Sequence, residues 1–228
     1  MSMHSKTHAG AVGDASAGKA HAAHVEGELE GLRQPAVSWT ELQRLQLDHD
    51  VAFHKDVHAA TPAYAIRHSI MHLQKVVASL ATVAEKRFHG ESINEAELDL
   101  TERRLPDLQA FVLKLANLLD LELQVLFKQL GPSLQGAEAV ASGQMADVSN
   151  ATEWLEAELA KLEQAVAEIA SCRLQLMKGE PNDWTRKTIR DALIPAEKVA
   201  LQLAAFYERD LEASYRERLL AVEHRKLA

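Results

Sequence analysis

Four histidines have the spacing of a metal site. His54 and His58 lie four residues apart, and so do His68 and His72. Residues four apart share one face of a helix, and neutral imidazoles are good ligands for zinc, iron, nickel and copper. A short hairpin between two helices would bring the two pairs near each other. The sequence therefore makes these four histidines candidate metal ligands, with a histidine-rich polar surface or subunit interface as the alternative.

The second histidine pair lies on a polar strip of its predicted helix. At about 100° per residue, His68 and His72 share a strip with Lys75 and Ser79. The apolar strip of the same helix lies well away and consists of Ile70, Leu73, Val77 and Leu80. His49 lies instead on an apolar strip of the preceding helix. We predict that His49 is a hydrogen-bonded core residue.

A second candidate site is acidic. Carboxylates that face each other across a helical bundle bind Mg²⁺ or Mn²⁺, which prefer oxygen ligands. Acidic residues are equally expected near a helix N-terminus, where they complement the helix dipole. Asp107 fits either explanation and is retained as a candidate metal ligand. The acidic cluster consists of Glu95, Glu97, Asp99, Glu102 and Asp107.

Composition and motifs argue against several function classes. Lys and Arg number 25 against 33 Asp and Glu, a formal charge of −8, whereas a phosphate-backbone binder needs a basic surface. No apolar run approaches the roughly 20 residues that cross a bilayer. A Gly-rich phosphate loop, GxSxG and HExxH are all absent. The one cysteine, Cys172, lies on a Leu-rich stripe, and the N-terminal segment is not apolar. We therefore expect a cytoplasmic protein. From its charge and its short apolar runs, we expect that it binds neither nucleic acid nor membrane.

The elements that carry these residues are predicted to be helical throughout. Apolar residues recur with a helical period of about 3.6 after Pro35, and no stretch alternates convincingly with period 2. Ser38 and Glu41 have the spacing of a capping box, and Pro62 suits a first helical position. We therefore predict an all-α helical bundle. The predicted helices cover about 39–60, 62–89, 95–105, 106–130, 150–178 and 183–224, with Asn150 or Thr152 as the fourth long helix's cap and Pro195 as a candidate kink.

Composition divides the chain into a tail and two helical halves. Residues 1–35 are rich in Ala, Gly, His and Ser and have no apolar period, which predicts a disordered tail. The helical halves are predicted at 36–131 and 150–228, joined by a small and polar linker at 132–149.

The two halves could be related by duplication. The segment from Leu115 to Lys128 aligns without gaps with the segment from Leu203 to Arg216, and each follows a long helix. Chance similarity between two Leu/Ala-rich amphipathic helices is the competing explanation. The sequence alone leaves both open.

One stretch of the first half resembles a known family. The region from Trp39 to Gly131 is similar to the MazG-like branch of the all-α nucleoside triphosphate pyrophosphohydrolases. The resemblance is carried by the text HSIMHLQKVVASL, which starts at His68, and by LPDLQAFVLKLANLLDLEL, which starts at Leu105. The second text looks like the family's ExxD helix, with an Asp, apolar residues, a Leu-Ala-Asn turn and an acidic-Leu step.

The resemblance implies a site that has lost most of its usual ligands. Family members hold Mg²⁺ with an EExxE motif on one helix and ExxD on the next, and cleave the α–β phosphate bond of a nucleotide. The EExxE positions fall on Lys75, Val76 and Ser79, and the ExxD Glu falls on Arg104, so that Asp107 alone survives. A lysine in place of a carboxylate works against cation binding.

The sequence therefore predicts a divergent MazG-like protein that has lost standard pyrophosphohydrolase activity and acts by binding a nucleotide or a protein. One alternative is a metal-dependent nucleotide hydrolase with a rebuilt histidine site; another is a helical scaffold. The resemblance also implies a homo-oligomer or a protein partner held by helix packing. Mg²⁺, Mn²⁺ or Zn²⁺ is the candidate cofactor. The candidate metal ligands are His54, His58, His68, His72 and Asp107, and the candidate substrate-binding residue is Lys75.

Overall fold

The computed structural model describes residues 37–58, 60–92, 94–145 and 150–227, apart from some side chains within helices. The predicted tail, residues 1–35, lies outside this part. The described residues form helices and no strand, which confirms the all-α prediction. In chain order the helices are α1 (Trp39–Phe53), α2 (Lys55–His58), α3 (Pro62–Phe88), α4 (Glu95–Leu118), α5 (Leu123–Leu126), α6 (Leu134–Met145), α7 (Ala151–Ser171), α8 (Arg173–Leu176), α9 (Asp183–Phe206) and α10 (Leu211–Leu227), with a 3₁₀ turn at Lys128–Leu130.

Side-chain caps start three of the helices where the sequence predicts them. The Ser38 hydroxyl accepts a hydrogen bond from the Glu41 N–H, and the Glu41 carboxylate accepts one from the Ser38 N–H at 2.9 Å, so the capping box is confirmed. Thr61 caps α3, with Pro62 in its first turn. Of the two candidates for α7, Asn150 is the cap. Each such cap stabilises a helix by about 1 kcal/mol.

Helix α4 runs through Pro106, although the sequence predicts a restart there. Proline removes one backbone hydrogen bond and clashes with the preceding turn. Leu105 and Leu108 on either side are almost completely buried, and this apolar packing holds the two segments in one helix because tertiary contacts supply most helix stability. Helix α9 continues through Pro195 in the same way.

The predicted linker contains a helix. Residues 134–145 form α6, which packs against α9 and buries Leu134, Ala137 and Ala141. The small side chains that suggested a linker are what allow this close packing of two helices. The described residues from 37 to 227 belong to one compact unit.

The core lies between the long helices. Helix α3 packs against α4 and α7, and α9 packs against α4, α6 and α7. Within the described residues, no helix is both long and apolar enough to cross a membrane.

The segments that align in sequence also share a backbone conformation. Asp120 and Glu208, which occupy the same aligned position, are the two described non-glycine residues with positive φ, each at 54°. The turns close with matching hydrogen bonds, Leu121 N to Ala116 O at 2.9 Å and Arg209 N to Ala204 O at 2.8 Å. Helical periodicity does not require these matches. The equivalent buried residues are Leu115 and Leu203, Ala116 and Ala204, Leu123 and Leu211, and Phe127 and Tyr215.

The correspondence extends over both halves. Helices α4 and α9 have 24 residues each, and the caps Thr61 and Asn150 begin the matching helices α3 and α7. The buried residues of α3 and α7 pair in register: Ile66 with Leu155, Ile70 with Leu159, Leu73 with Leu162, Val77 with Val166 and Leu80 with Ile169.

Equivalent residues also contact one another. Ser38 and Ser133, which precede the matching helices α1 and α6, form an isolated antiparallel bridge. Gln109 on α4 contacts Glu197 on α9. With the Gln109 amide turned toward the carboxyl group, its nitrogen donates a hydrogen bond to Glu197 Oε1 at 2.5 Å. Contacts between equivalent residues are characteristic of two-fold symmetry. The arrangement supports the duplication hypothesis over chance similarity.

The two left-handed residues offer a direct test of local strain. Glu208→Gly is expected to raise the free energy of unfolding by about 0.5–1 kcal/mol, because positive φ is unfavourable for a residue with a Cβ. Urea denaturation measures the change. Ala157→Gly on the exposed face of α7 is the matched control and should lower stability by about 1 kcal/mol. A loss of stability in Glu208→Gly would contradict the expectation.

Candidate functional site

A cavity of about 320 Å³ lies between α1, α3, α4 and α10. It brings together five of the six candidate site residues that the sequence predicts. The sixth, His58, is the last residue of α2, and its side chain lies outside the described part of the structure. The histidine and charged residues that line the cavity are His49, Asp50, His54, His68, His72, Lys75, Arg104, Asp107, Lys114, Arg218 and Arg225.

Helix α10 forms one wall and comes from the far end of the chain. Tyr215 is completely buried, and its hydroxyl donates a hydrogen bond to Gln46 Oε1 on α1 at 2.9 Å. One turn later Arg218 reaches Asp107 on α4. These contacts hold Arg218 and Arg225 at the cavity.

A buried ion pair joins α1 to α4. The Lys114 ammonium donates to Asp50 Oδ1 at 3.0 Å, and the two side chains are only 8% and 5% exposed. With so little solvent, each charge depends on the other for compensation. Asp50 and Lys114 therefore fix the relative position of two cavity walls.

Asp107 is held by two arginines. Arg218 Nε donates to Asp107 Oδ1 at 2.5 Å and its terminal nitrogen donates to Oδ2 at 3.2 Å. Arg104 donates to Oδ2 at 3.1 Å. A carboxylate with two guanidinium partners is neutralised, so a metal ion at Asp107 would have to compete with both arginines.

The cavity lining is strongly basic on an acidic protein. Lys75, Arg104, Lys114, Arg218 and Arg225 face it together with two carboxylates. Both carboxylates are engaged in ion pairs, while the chain as a whole carries a formal charge of −8. Such a local excess of positive charge attracts anions.

The surroundings of His68 and His72 on α3 favour the neutral imidazole. Burial is the main cause that lowers the pKa of His68, with the Lys114 ammonium as the next cause. Burial also lowers the pKa of His72, and His68 and Lys75 add to the effect. The two rings lie 4.6 Å apart, and Phe111 stacks on His72 at 5.3 Å between centroids. Neutral imidazoles can each both donate and accept a hydrogen bond.

One set of potential metal-binding atoms lies along α1. His49, Asp50 and His54 each offer one ligand atom, and these atoms all lie within 4.8 Å of one another. His49 is buried as the sequence predicts. Its ring lies near the backbone of Leu219 on α10, but neither ring nitrogen makes a well-aligned hydrogen bond.

The remaining sequence candidates lie away from the cavity or outside the described side chains. Cys172 is completely buried, and burial raises the pKa of its thiol, as expected of a core residue. In the acidic cluster, the side chains of Glu95, Glu97, Asp99 and Glu102 lie outside the described part.

Sequence reasoning missed several of the residues that line the cavity. Arg218 and Arg225 gave no signal because they belong to α10, and sequence does not show that this last helix packs against α4. Lys114 did give one: it interrupts the apolar run between Leu113 and Leu115 at a position that helix packing buries. A buried lysine needs a partner of opposite charge, and Asp50 is the partner of Lys114.

Comparisons with protein-family models, with curated proteins and with solved structures find no match to this chain. The assignment of a function consequently rests on the charges, distances and burial of the cavity residues.

Proposed function

We propose that this protein binds the phosphate groups of a nucleotide in the cavity between α1, α3, α4 and α10, without the hydrolytic chemistry of the MazG-like enzymes. The observation that carries the proposal is the charge balance of the lining. Five lysine and arginine side chains face the cavity against two carboxylates. Three of the five cations pair with those carboxylates, and the lining keeps a net positive charge. The net positive charge is available for an anionic ligand.

The positions that the family resemblance singles out support this proposal. The motif residues of MazG-like enzymes fall on five positions of this chain. Four of them line the cavity, namely Lys75, Val76, Arg104 and Asp107, and Ser79 does not. Two of them are cations instead of carboxylates. A lysine and an arginine can hold phosphate oxygens directly through charge-assisted hydrogen bonds, whereas the enzymes use carboxylates to hold Mg²⁺ there.

The size and remaining chemistry of the cavity suit a small ligand. A volume of about 320 Å³ is at the lower end of the range of small-molecule sites, roughly 300–1,000 Å³. Phe111 supplies an apolar ring, and the neutral His68 and His72 supply hydrogen-bonding groups. A compact phosphorylated molecule such as a mononucleotide fits this combination.

Replacement of Lys75 tests the binding proposal. Titration calorimetry with ATP in the presence of EDTA should show binding to the full chain, and Lys75→Met should weaken it about tenfold, because a hydrogen bond to a charged group is worth about 1.5 kcal/mol or more. Lys75 is exposed, so its loss should leave the fold intact. The matched control is Lys178→Met, an exposed lysine away from the cavity.

Two results would contradict this proposal. One is the absence of ATP binding at millimolar concentration; the other is equal weakening by Lys75→Met and Lys178→Met. Release of pyrophosphate from ATP with added Mg²⁺, lost in Asp107→Asn, would instead favour a working hydrolase.

A further inference from the structure

We propose that His49, Asp50 and His54 form a binding site for one divalent transition-metal ion of the Zn²⁺ type on the α1 wall of the cavity. This inference goes beyond nucleotide binding because it depends on different residues and on nitrogen ligands. The three ligand atoms lie within 4.8 Å of one another, and all three side chains line the cavity.

The poorly satisfied ring of His49 is the observation that points to a ligand. His49 is 5% exposed, and neither Nδ1 nor Nε2 makes a well-aligned hydrogen bond, although the ring lies near the backbone of Leu219 on α10. Leaving a buried polar group unsatisfied is unfavourable by about 1–3 kcal/mol, and such groups are rare in native proteins. A metal ion bound to one of these nitrogens removes that penalty.

Asp50 can serve as a ligand while it remains paired with Lys114. A carboxylate has about four acceptor positions, and the Lys114 hydrogen bond to Oδ1 occupies one of them. Ligating carboxylates are commonly oriented by such a second partner. The negative charge of Glu223 on α10 acts on His49 and offsets the positive charge of Lys114.

The donor set selects the type of metal. Two imidazoles and one carboxylate are typical of catalytic zinc sites and of non-haem iron(II) sites, whereas Mg²⁺ and Ca²⁺ prefer oxygen ligands only. Three protein ligands leave at least one coordination position open toward the cavity.

Cobalt binding to the full chain provides the test. Because His4, His8, His21 and His24 in the N-terminal segment could also bind metal, all four are replaced by alanine in every sample. Co²⁺ is then titrated without nucleotide, and its visible absorption reports coordination by the protein. We expect saturation at one equivalent, and a Zn²⁺ competition that displaces the Co²⁺ spectrum.

Single substitutions locate the bound ion. His49→Gln and His54→Gln should each weaken Co²⁺ binding at least tenfold. Loss of a residue that only orients a ligand already weakens metal binding by about tenfold or more, and loss of a ligand should weaken it further. His89→Gln replaces an exposed histidine outside the cavity and should bind Co²⁺ as the parent does. Circular dichroism of the metal-free proteins confirms that each variant is folded; if His49→Gln unfolds, His54→Gln decides.

The metal proposal fails if no saturable Co²⁺ binding occurs, or if binding is lost in His72→Gln and retained in His49→Gln and His54→Gln. The ATP titration with EDTA is independent of this result. Metal binding without ATP binding would therefore overturn only the nucleotide proposal, and ATP binding without metal binding would overturn only the metal site.

Discussion

Replacement of Lys114 by methionine is expected to lower the free energy of unfolding by about 3–5 kcal/mol. Lys114 Nζ lies 3.0 Å from Asp50 Oδ1, and less than a tenth of either side chain is exposed. Methionine matches the lysine in length and removes its charge, so the Asp50 carboxylate loses its close cationic partner in a poorly solvated position. The expected loss of stability is the free energy of leaving the Asp50 charge buried without a partner. It greatly exceeds the net contribution that the intact ion pair makes to stability.

Urea denaturation at pH 7 measures this loss. Removal of both charges in Asp50→Leu/Lys114→Met should recover much of it, because an apolar pair in place of a buried ion pair is often neutral. The matched control is Lys187→Met, which breaks the exposed pair with Asp191, 68% and 45% exposed, and should change stability by less than about 1 kcal/mol. A similarly small effect in Lys114→Met would show that water reaches Asp50.

Replacement of Glu197 by glutamine is expected to make the stability of the protein much less dependent on pH above about 4.5. Glu197 is completely buried; burial, followed by the nearby Glu138 charge, raises the pKa of its carboxyl group to about 8. The folded protein therefore retains a proton that the unfolded chain loses above about pH 4.5. As a result, stability falls as the pH rises from about 4.5 to about 8, by a total on the order of 5 kcal/mol from this group.

The difference between wild type and variant isolates this effect. Glu197→Gln cannot ionise, so the two proteins should have similar stability at pH 5, and the variant should be the more stable by several kcal/mol at pH 9. Burial also raises the pKa of Glu138, to about 7, so the variant retains a weaker fall. Glu163→Gln, at an exposed position, should follow the wild-type curve. Parallel curves for wild type and Glu197→Gln would contradict the expectation.

The sequence predicts the helical fold well because helix signals are local. The capping box at Ser38, the helix start at Pro62 and the period of apolar residues all depend on neighbours within one turn or two. The errors arise where distant packing decides the outcome. Pro106 remains inside a helix because residues beside it pack into the core, and residues 134–145 are helical because α9 lies against them.

The candidate site is predictable only in part for the same reason. The spacing of His68, His72 and Lys75 places them on one polar strip, and the structure has all three at the cavity. The partners of Asp107 and Asp50 could not be predicted, because Arg218 belongs to the last helix and Lys114 pairs across two helices. Helical periodicity identifies which residues share a face but not which helix that face contacts.

An internal duplication, which the matching turns at Asp120 and Glu208 support, would free the two halves to diverge. In the second half a cavity of about 250 Å³ is lined by Ala141, Lys198, Leu201 and Gln202, the equivalents of Gln46, Ala110, Leu113 and Lys114. Its counterparts of Lys114 and Asp107 are Gln202 and Pro195. In a symmetric homodimer every substitution occurs twice, so an arginine gained to improve one site also alters its copy. A fused pair has no such constraint: one half can accumulate the charges of a binding site while the other keeps the apolar residues that support it.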